Sequence, residues 1–263
     1  SDLMLYHAVR VLGKGPVLVL APHPDDEVLG CAGAILRHIA DGDTVTVLIL
    51  TDGGGFHADG SVREVYVTQR RQESQAAAAI LGYGKPQFWE YRDRELRYDE
   101  PLVRRLCETV RATDARWLYA PSPHELHPDH RNLALAALEA ICRLGDERAL
   151  AFYEISAPLP PNRLLDISDL IERKRQAIAC FSSQLSAQAY DRHIEALNRY
   201  RTYTLSREIE AAEAYWVIEG SEATRKLQTL YATTVDDRYE RVIASRSWRL
   251  TAPFRDGSRW LRG

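Results

Sequence analysis

Short, continuous apolar runs recur along the first 155 residues and predict buried strands. The clearest are residues 17–20 and 44–50, which are rich in branched aliphatic side chains. Further runs of this kind cover 87–91, 116–120 and 149–155, and a late one covers 214–218. Runs without polar alternation are typical of a parallel sheet that is covered on both faces.

Between these runs, apolar residues recur at helical spacing, over residues 28–40, 68–81, 101–113 and 129–144. Gly82 follows the second segment, where a C-cap glycine is expected. Alternation of strands with helices predicts an α/β, Rossmann-like fold with a mostly parallel sheet and helices on both faces. Right-handed crossovers would then align the C-terminal ends of the strands along one edge.

The composition is that of an ordinary globular protein and excludes several functional classes. The chain has 263 residues, of which 45% are hydrophobic, and a formal net charge of −3. This charge argues against nucleic-acid binding, which needs a basic face. No apolar run reaches the ~18 residues needed to span a bilayer, and residues 1–10 do not resemble a signal peptide. With four scattered cysteines, we expect a cytoplasmic protein with free thiols.

The C-terminal end differs in charge from the rest of the chain. From residue 221 onward there are nine Lys/Arg and five Asp/Glu, a surplus of +4, which leaves −7 on residues 1–220. We therefore expect one domain over 1–220 and a basic, aromatic-containing, mainly helical extension over 221–263. Basic residues interleaved with tryptophan fit peripheral contact with the inner face of a membrane. The alternative is a solvated terminal helix that packs its tryptophans on the body.

Two His-Pro-Asp motifs follow predicted strands. The first, His23-Pro-Asp-Asp-Glu27, follows the first strand and precedes a helix. The second, His127-Pro-Asp-His130, follows the fourth strand. Both therefore lie at the C-terminal edge of the predicted sheet, where α/β folds bind their ligands.

The residue types in these motifs suit a catalytic metal centre, which typically has three His or carboxylate ligands and an open position for water. His23 and Asp26 are three residues apart at a strand-to-helix turn and can face one point, with His130 as the third ligand. Asp25 would point elsewhere and could act as general base toward a metal-activated water. His127 could stabilise the oxyanion.

The remaining polar residues of the motifs have more than one interpretation. Asp129 could orient a histidine from behind, and Glu27 is interpreted as a first-turn acid that interacts with the helix dipole. His124 could be a substrate contact or a plain loop residue. Taken singly, His23 could be a core histidine and Asp25 a helix cap, but two matching motifs at strand ends favour the metal centre.

The two motifs resemble those of the PIG-L/LmbE-like family of zinc-dependent de-N-acetylases, which includes N-acetylglucosaminyl-phosphatidylinositol de-N-acetylase. Both are complete here, and a softer family feature, R-x-x-E before an alanine-rich helix, is matched by Arg70 and Glu73. The resemblance covers roughly residues 15–220. It implies the following roles: zinc ligands His23, Asp26 and His130, general base Asp25, His127 as stabiliser of the tetrahedral intermediate, and Arg70 as a sugar contact.

The expected function is therefore removal of the N-acetyl group from an N-acetylated amino sugar of the GlcNAc type, as a free, lipid-linked or nucleotide-linked substrate. Phe56 and His57 follow a glycine run and could line the pocket or serve in packing. Zn²⁺ is the expected ion, although a site of this kind also accepts Fe²⁺. Alternatives are an amidase that cleaves a larger acyl group, and a nucleotide-sugar binding module without catalysis. No G-x-G-x-x-G occupies the first βα turn, which argues against the latter. No feature of the sequence fixes an oligomeric state.

Overall fold

The computed structural model describes residues 7–55, 60–145 and 147–230. The strands are β1 (Ala8–Val9), β2 (Val17–Ala21), β3 (Val45–Thr51), β4 (Gln87–Tyr91), β5 (Trp117–Pro121), β6 (Ala149–Tyr153), β7 (Arg163–Asp166) and β8 (Ala212–Glu219). The helices are α1 (Asp26–Ala40), α2 (Ser61–Leu81), α3 (Glu100–Ala112), α4 (Pro128–Leu144), α5 (Ile171–Ile178), α6 (Ser182–Leu185) and α7 (Tyr190–Tyr200).

One sheet holds all eight of these strands, in the order β1-β7-β8-β6-β5-β2-β3-β4. β8 runs antiparallel to both of its neighbours, and all the other pairs are parallel. α1 packs against α2 and α5, and α3 packs against α4. The predicted fold class, an α/β and mostly parallel sheet with helices, is confirmed.

Strand β2 shows why the sheet is covered on both faces. All five of its residues are buried, and successive side chains of a strand point to opposite faces. Val17, Val19 and Ala21 belong to the apolar cluster that includes residues of α1, and Leu18 and Leu20 point to the other face. A strand with no polar position is stable only between two layers of helices.

Two strands were not predicted from the sequence. β1 has two residues and β7 has four, which is too short for a hydrophobic pattern to stand out. β7 also follows the proline-rich segment 158–161, which leads the chain back into the sheet. Between β7 and β8 the chain forms α5, α6 and α7.

Helix α1 is interrupted at Cys31, whose φ of −144° and ψ of 25° are not helical. The amide N–H groups of Gly33 and Ala34, just after the break, donate to the carboxylate of Glu213 at 2.8 and 3.0 Å. Lys174 Nζ, at 2.7 Å, and Tyr215 Oη, at 2.6 Å, donate to the same carboxylate. Glu213 therefore joins α1, α5 and β8 through four donors.

The structure describes only the first residues of the C-terminal part. The chain divides into two units at Ala223–Thr224, and residues 220–230 are helical. Most of the predicted basic extension lies outside the described residues, and the domain boundary at 220 stays a prediction. Within the described ranges, no helix has both the length and the hydropathy needed to cross a bilayer, and all four cysteines of the chain are free.

We predict that the Glu213→Leu variant loses about 3–5 kcal/mol of unfolding free energy, because it strands Lys174 as an uncompensated buried charge. Urea denaturation at pH 7 measures this loss. Glu100→Leu is the matched control: the Glu100–Arg143 pair has the same 2.7 Å separation but is 64% and 38% exposed, against 1% for each partner of the buried pair. Solvent screening should make the control nearly neutral, so equal losses would contradict the prediction.

Candidate metal centre and active site

The site lies at the point in the sheet where the strand order reverses. The chain continues from β2 to β3 on one side, and β5 pairs with β2 on the other side. The connections that leave β2 and β5 diverge, and α/β folds bind ligands in the crevice that such a divergence opens. The first motif follows β2 and the second follows β5, so both motifs border this crevice.

Three buried donor atoms converge at this point. Nδ1 of His23 lies 3.1 Å from Oδ2 of Asp26 and 3.2 Å from Nε2 of His130. Nε2 of His130 lies 3.2 Å from the same Asp26 oxygen, which closes the triangle. The structure thus brings together the three residues that the sequence predicts as metal ligands.

The spacing of the three donors suits a tetrahedral ion. Ligand atoms 2.0–2.1 Å from such an ion are about 3.3–3.4 Å apart, close to the edges of this triangle. Two imidazole nitrogens and one carboxylate oxygen form a set that zinc and other divalent transition metals accept. His23, Asp26 and His130 could therefore bind a metal ion.

The surroundings of the donor side chains shift their pKa values. Burial opposes the charge on Asp26, but the His130 and His23 rings outweigh burial and hold its pKa well below the ordinary value. Burial likewise opposes a charge on His130, yet Asp26 raises the pKa of His130 to about 9. The Asp26 carboxylate and the protonated His130 ring therefore stabilise one another in this structure.

Asp25 lies at the turn into α1 and contacts Glu27 and Arg70. Its φ of 143° is unusual for a residue other than glycine and indicates strain at the turn into α1. The Asp25 N–H donates to Glu27 Oε2 at 3.2 Å, and its Oδ2 lies 3.1 Å from Arg70 Nη2. Burial raises the pKa of Asp25 to about 7, although Arg70 opposes that shift.

Glu27 does more than interact with the helix dipole. It is fully buried, and its Oε1 accepts hydrogen bonds from Ser74 Oγ and Tyr83 Oη, both at 3.2 Å. Its Oε2 holds the N–H of Asp25. Glu27 therefore holds the strained turn through the N–H of Asp25. The sequence offered no specific signal for this role.

Arg70 is buried at 4% exposure, not solvated on the helix surface. Besides its ion pair with Asp25, its guanidinium donates to the carbonyl oxygens of Gly53 and Pro24. Arg70 thus ties α2 to the loops after β2 and β3. Its contact with a sugar stays a prediction. Glu73, one turn later, accepts from Ser182 and Ser183 of α6.

His127 is the N-cap of α4, where its Nδ1 accepts the Asp129 N–H at 3.2 Å. This bond assigns the proton of the neutral ring to Nε2. Burial, together with the His23 and His130 rings, lowers the pKa of His127 to about 4. The ring centroid is 4.6 Å from that of His23. His127 is therefore a neutral donor beside the donor triangle.

Asp93 was missed by the sequence analysis. It follows β4 at the same edge of the sheet, and its Oδ1 lies 3.3 Å from Nε2 of His23 and 3.5 Å from Nε2 of His127. Asp129 Oδ2 lies 3.4 Å from the same His23 nitrogen and accepts the Arg94 N–H at 2.7 Å. Asp129 and Asp93 thus approach the far side of the His23 ring. Its position after a strand was the only signal for Asp93.

Glu125 was also missed as a functional residue. Its Oε2 lies 3.6 Å from Nδ1 of His130, the ring nitrogen opposite the donor triangle. The same carboxylate accepts the N–H groups of Ile155 and Ser156 at 2.7 and 3.0 Å. A carboxylate behind a ligating histidine fixes the orientation of its ring.

The remaining predicted substrate contacts are His124, Phe56 and His57. His124 is exposed and its ring stacks on Trp216, with centroids 6.3 Å apart. This contact fits packing as well as substrate binding, so the role of His124 stays a prediction. Phe56 and His57 lie outside the described residues.

The chain is similar to several known proteins. Residues 18–141 match the family model of PIG-L, GlcNAc-PI de-N-acetylase. A diacetylchitobiose deacetylase of Thermococcus kodakarensis is 30% identical over 195 residues, 66% of this chain and 72% of the relative. A 4-oxalmesaconate hydratase of Pseudomonas putida is 28% identical over 64% of this chain and 73% of its own length.

A solved structure shows the same architecture. The N,N'-diacetylchitobiose deacetylase of Pyrococcus horikoshii superimposes with a TM-score of 0.69 and 25% identity, over 79% of this chain and 85% of that chain. The two complete motifs, the fold and these relatives agree. The chain belongs to the PIG-L/LmbE-like family of de-N-acetylases.

Proposed function

We propose that the protein is a metal-dependent hydrolase that removes the N-acetyl group from an amino sugar of the GlcNAc type. The observation that carries the proposal is the triangle of His23, Asp26 and His130 donors with the separate carboxylate of Asp25 beside it. Its membership in a family with deacetylase relatives supports the choice of bond.

The three donors would hold Zn²⁺, with Fe²⁺ as an ion that the same set also accepts. A divalent ion at this position supplies Lewis-acid activation of water and polarisation of the acetamide carbonyl. Glu125 would keep His130 turned so that Nε2 faces the ion, and Asp129 would do the same for His23 from the opposite side of its ring.

Asp25 is proposed as the general base. A pKa near 7 lets a carboxylate both take and release a proton at neutral pH. Arg70 and the N–H bond to Glu27 fix its position, so little ordering is left for the reaction itself. Its strained φ keeps its carboxylate out of the donor triangle.

His127 is proposed as the group that stabilises the oxyanion. Because its Nδ1 accepts a backbone N–H, the neutral ring can donate from Nε2. A preorganised donor aimed at developing negative charge lowers the barrier without reorganising during the reaction. Asp93, 3.5 Å from Nε2, would compete for that proton until substrate binds.

The substrate is proposed to be an N-acetylated amino sugar, either small or linked to a lipid or a nucleotide. Arg70, Phe56, His57 and His124 are the proposed contacts on the sugar side. We propose a cytoplasmic enzyme that does not bind nucleic acid, with peripheral membrane contact through the C-terminal tail.

A second candidate reaction is hydration of a carbon–carbon double bond. The similarity to a hydratase is the observation that favours it. A general base beside a Lewis-acid site suits either reaction. The substrate and the released product separate the two.

The deciding experiment measures acetate release from methyl N-acetylglucosaminide, diacetylchitobiose and a nucleotide-linked GlcNAc, with N-hexanoyl analogues alongside. We expect acetate from at least one N-acetyl sugar and slower turnover of its N-hexanoyl analogue. Preferential release of hexanoate would favour the amidase alternative. Hydration of 4-oxalmesaconate without any acid release from the sugars would refute the deacetylase assignment.

We predict that the Asp25→Asn variant loses about 10²–10⁴ in kcat, the usual contribution of a general base, but still binds one metal ion per chain. Elemental analysis of the purified protein and acetate release measure the two properties. Asp26→Asn is the matched control, since the neighbouring carboxylate belongs to the donor triangle and its loss should reduce metal content. Metal loss in Asp25→Asn, or unchanged turnover, would contradict the separation of roles.

We predict that Glu125→Gln weakens metal affinity about 10- to 100-fold, as removal of a carboxylate behind a ligating histidine typically does. Titration against a competing chelator measures the affinity. Glu154→Gln is the control, because Glu154 is a buried carboxylate after β6 that pairs with Arg201 and not with a histidine. Equal metal affinity of the two variants would show that Glu125 does not position His130.

A further inference from the structure

The loop after β3 is held by two buried arginines of α2. Arg63 and Arg70 are 8% and 4% exposed, and because they are seven residues apart in the sequence they lie two turns apart on one face of the helix. Arg70 donates to the carbonyl oxygen of Gly53 at 3.2 Å. Nη2 of Arg63 donates to Oδ2 of Asp52 at 2.6 Å. Arg70 also contacts the proposed base, whereas the Arg63–Asp52 pair has no part in the proposed chemistry.

Asp52 uses both of its carboxylate oxygens as acceptors. Oδ2 faces Arg63, and Oδ1 accepts the N–H groups of Gly54 at 2.9 Å and of Asp93 at 3.2 Å. An asparagine has a single acceptor oxygen, so it could not serve the arginine and the two N–H groups together. Asp52 therefore joins the loop after β3 to the turn after β4.

Gly54 is the residue that lets Arg63 approach the loop. A Cβ atom at this position would lie 2.3 Å from the guanidinium of Arg63, which is too close for any side chain. Gly54 does not have a positive φ. The arginine, rather than the backbone conformation, is therefore what excludes a side chain here.

Asp93 is fixed at a second point and faces the histidines. The Gly55 N–H donates to its Oδ2 at 2.9 Å, which leaves Oδ1 at 3.3 Å from Nε2 of His23 and 3.5 Å from Nε2 of His127. Oδ1 of Asp93 and Nε2 of His23 are buried and have no hydrogen-bond partner among the described residues. If Nδ1 of His23 binds a metal ion, Nε2 carries the ring proton, and this carboxylate is in place to receive its N–H.

We infer that Asp52 and Arg63 are positioning residues for the metal centre. The Arg63–Asp52 pair holds the backbone of Asp93, and Asp93 in turn holds the His23 ring with Nδ1 toward the donor triangle. The inference rests on the proposed metal centre but not on the identity of the substrate.

The Asp52→Asn variant removes one acceptor and keeps the size of the side chain. We expect its Zn²⁺ affinity to fall about three- to tenfold. This is less than the roughly 10- to 100-fold typical of a carboxylate directly behind a ligating histidine, because Asp52 acts through Asp93. Competition with a chelator measures the affinity. The visible absorption of the Co²⁺-loaded protein should also shift, because it reports the geometry of the donors.

Asp43→Asn is the matched control. Asp43 precedes the other end of β3, and its side chain is 13% exposed against 16% for Asp52. It too accepts a glycine N–H and faces a second side chain, that of His38. This variant should keep the Zn²⁺ affinity and the Co²⁺ absorption of the unmodified protein. Equal affinity and equal absorption in the two variants would overturn the inference.

Two further variants test the route. Gly54→Ala displaces Arg63 without changing Asp52 and should lower the Zn²⁺ affinity as Asp52→Asn does; an unchanged affinity would show that Arg63 has no such role. In an Asp93→Ala background, Asp52→Asn should change the affinity by less than about twofold, since the residue through which it acts is gone. Effects that multiply in the double variant would refute a route through Asp93. An unmodified protein that binds neither ion would refute the metal centre itself, so the two failures are distinguishable.

Discussion

The parallel pairing of β2 with β5 is the constraint on which the site depends. Partners in this pairing are 100 positions apart in the chain, from Val17 with Trp117 to Val19 with Tyr119. A slip of one residue would move one motif by about 3.3 Å along its strand and turn its side chains to the other face. The metal donors are themselves only 3.1–3.2 Å apart. The site therefore needs this register, which the fully buried β2 and the nearly fully buried β5 impose.

The fold also buries several carboxylates. Each of them accepts hydrogen bonds from donors in distant segments of the chain. Glu213 collects four donors and bridges the break in α1, and Glu27 collects three beneath Asp25. A buried carboxylate that loses such donors keeps its desolvation cost. Glu213 thus stabilises the packing of α1 after its break, Glu27 stabilises the turn at its start, and α1 connects the two.

The sequence predicted what repeats or has a fixed spacing. Continuous apolar strands and the two His-Pro-Asp motifs at their ends were sufficient to predict most of the sheet and to single out His23, Asp26 and His130, whose donor atoms the structure brings together. Asp93 could not be predicted because its histidine partners, His23 and His127, are 70 and 34 positions away, and only the strand order brings them together. Glu125 is five positions from His130, but it is a single acid in a loop and no motif marks it. Arg70 belonged to a family feature, but its burial depends on loops after two other strands. β1 and β7 were too short to show a pattern.

Asp25 and Asp26 are neighbours in the chain with opposite surroundings. Burial raises the pKa of Asp25 to about 7, whereas histidines lower that of Asp26. Two carboxylates whose environments push their pKa values apart can divide the work of base and ligand. The proposed division would reside in the turn after β2 and would require nothing of the substrate. The similarity to both a deacetylase and a hydratase is then understandable. A base beside an electrophilic site is common to both reactions, so the choice of substrate must come from the loops that line the crevice.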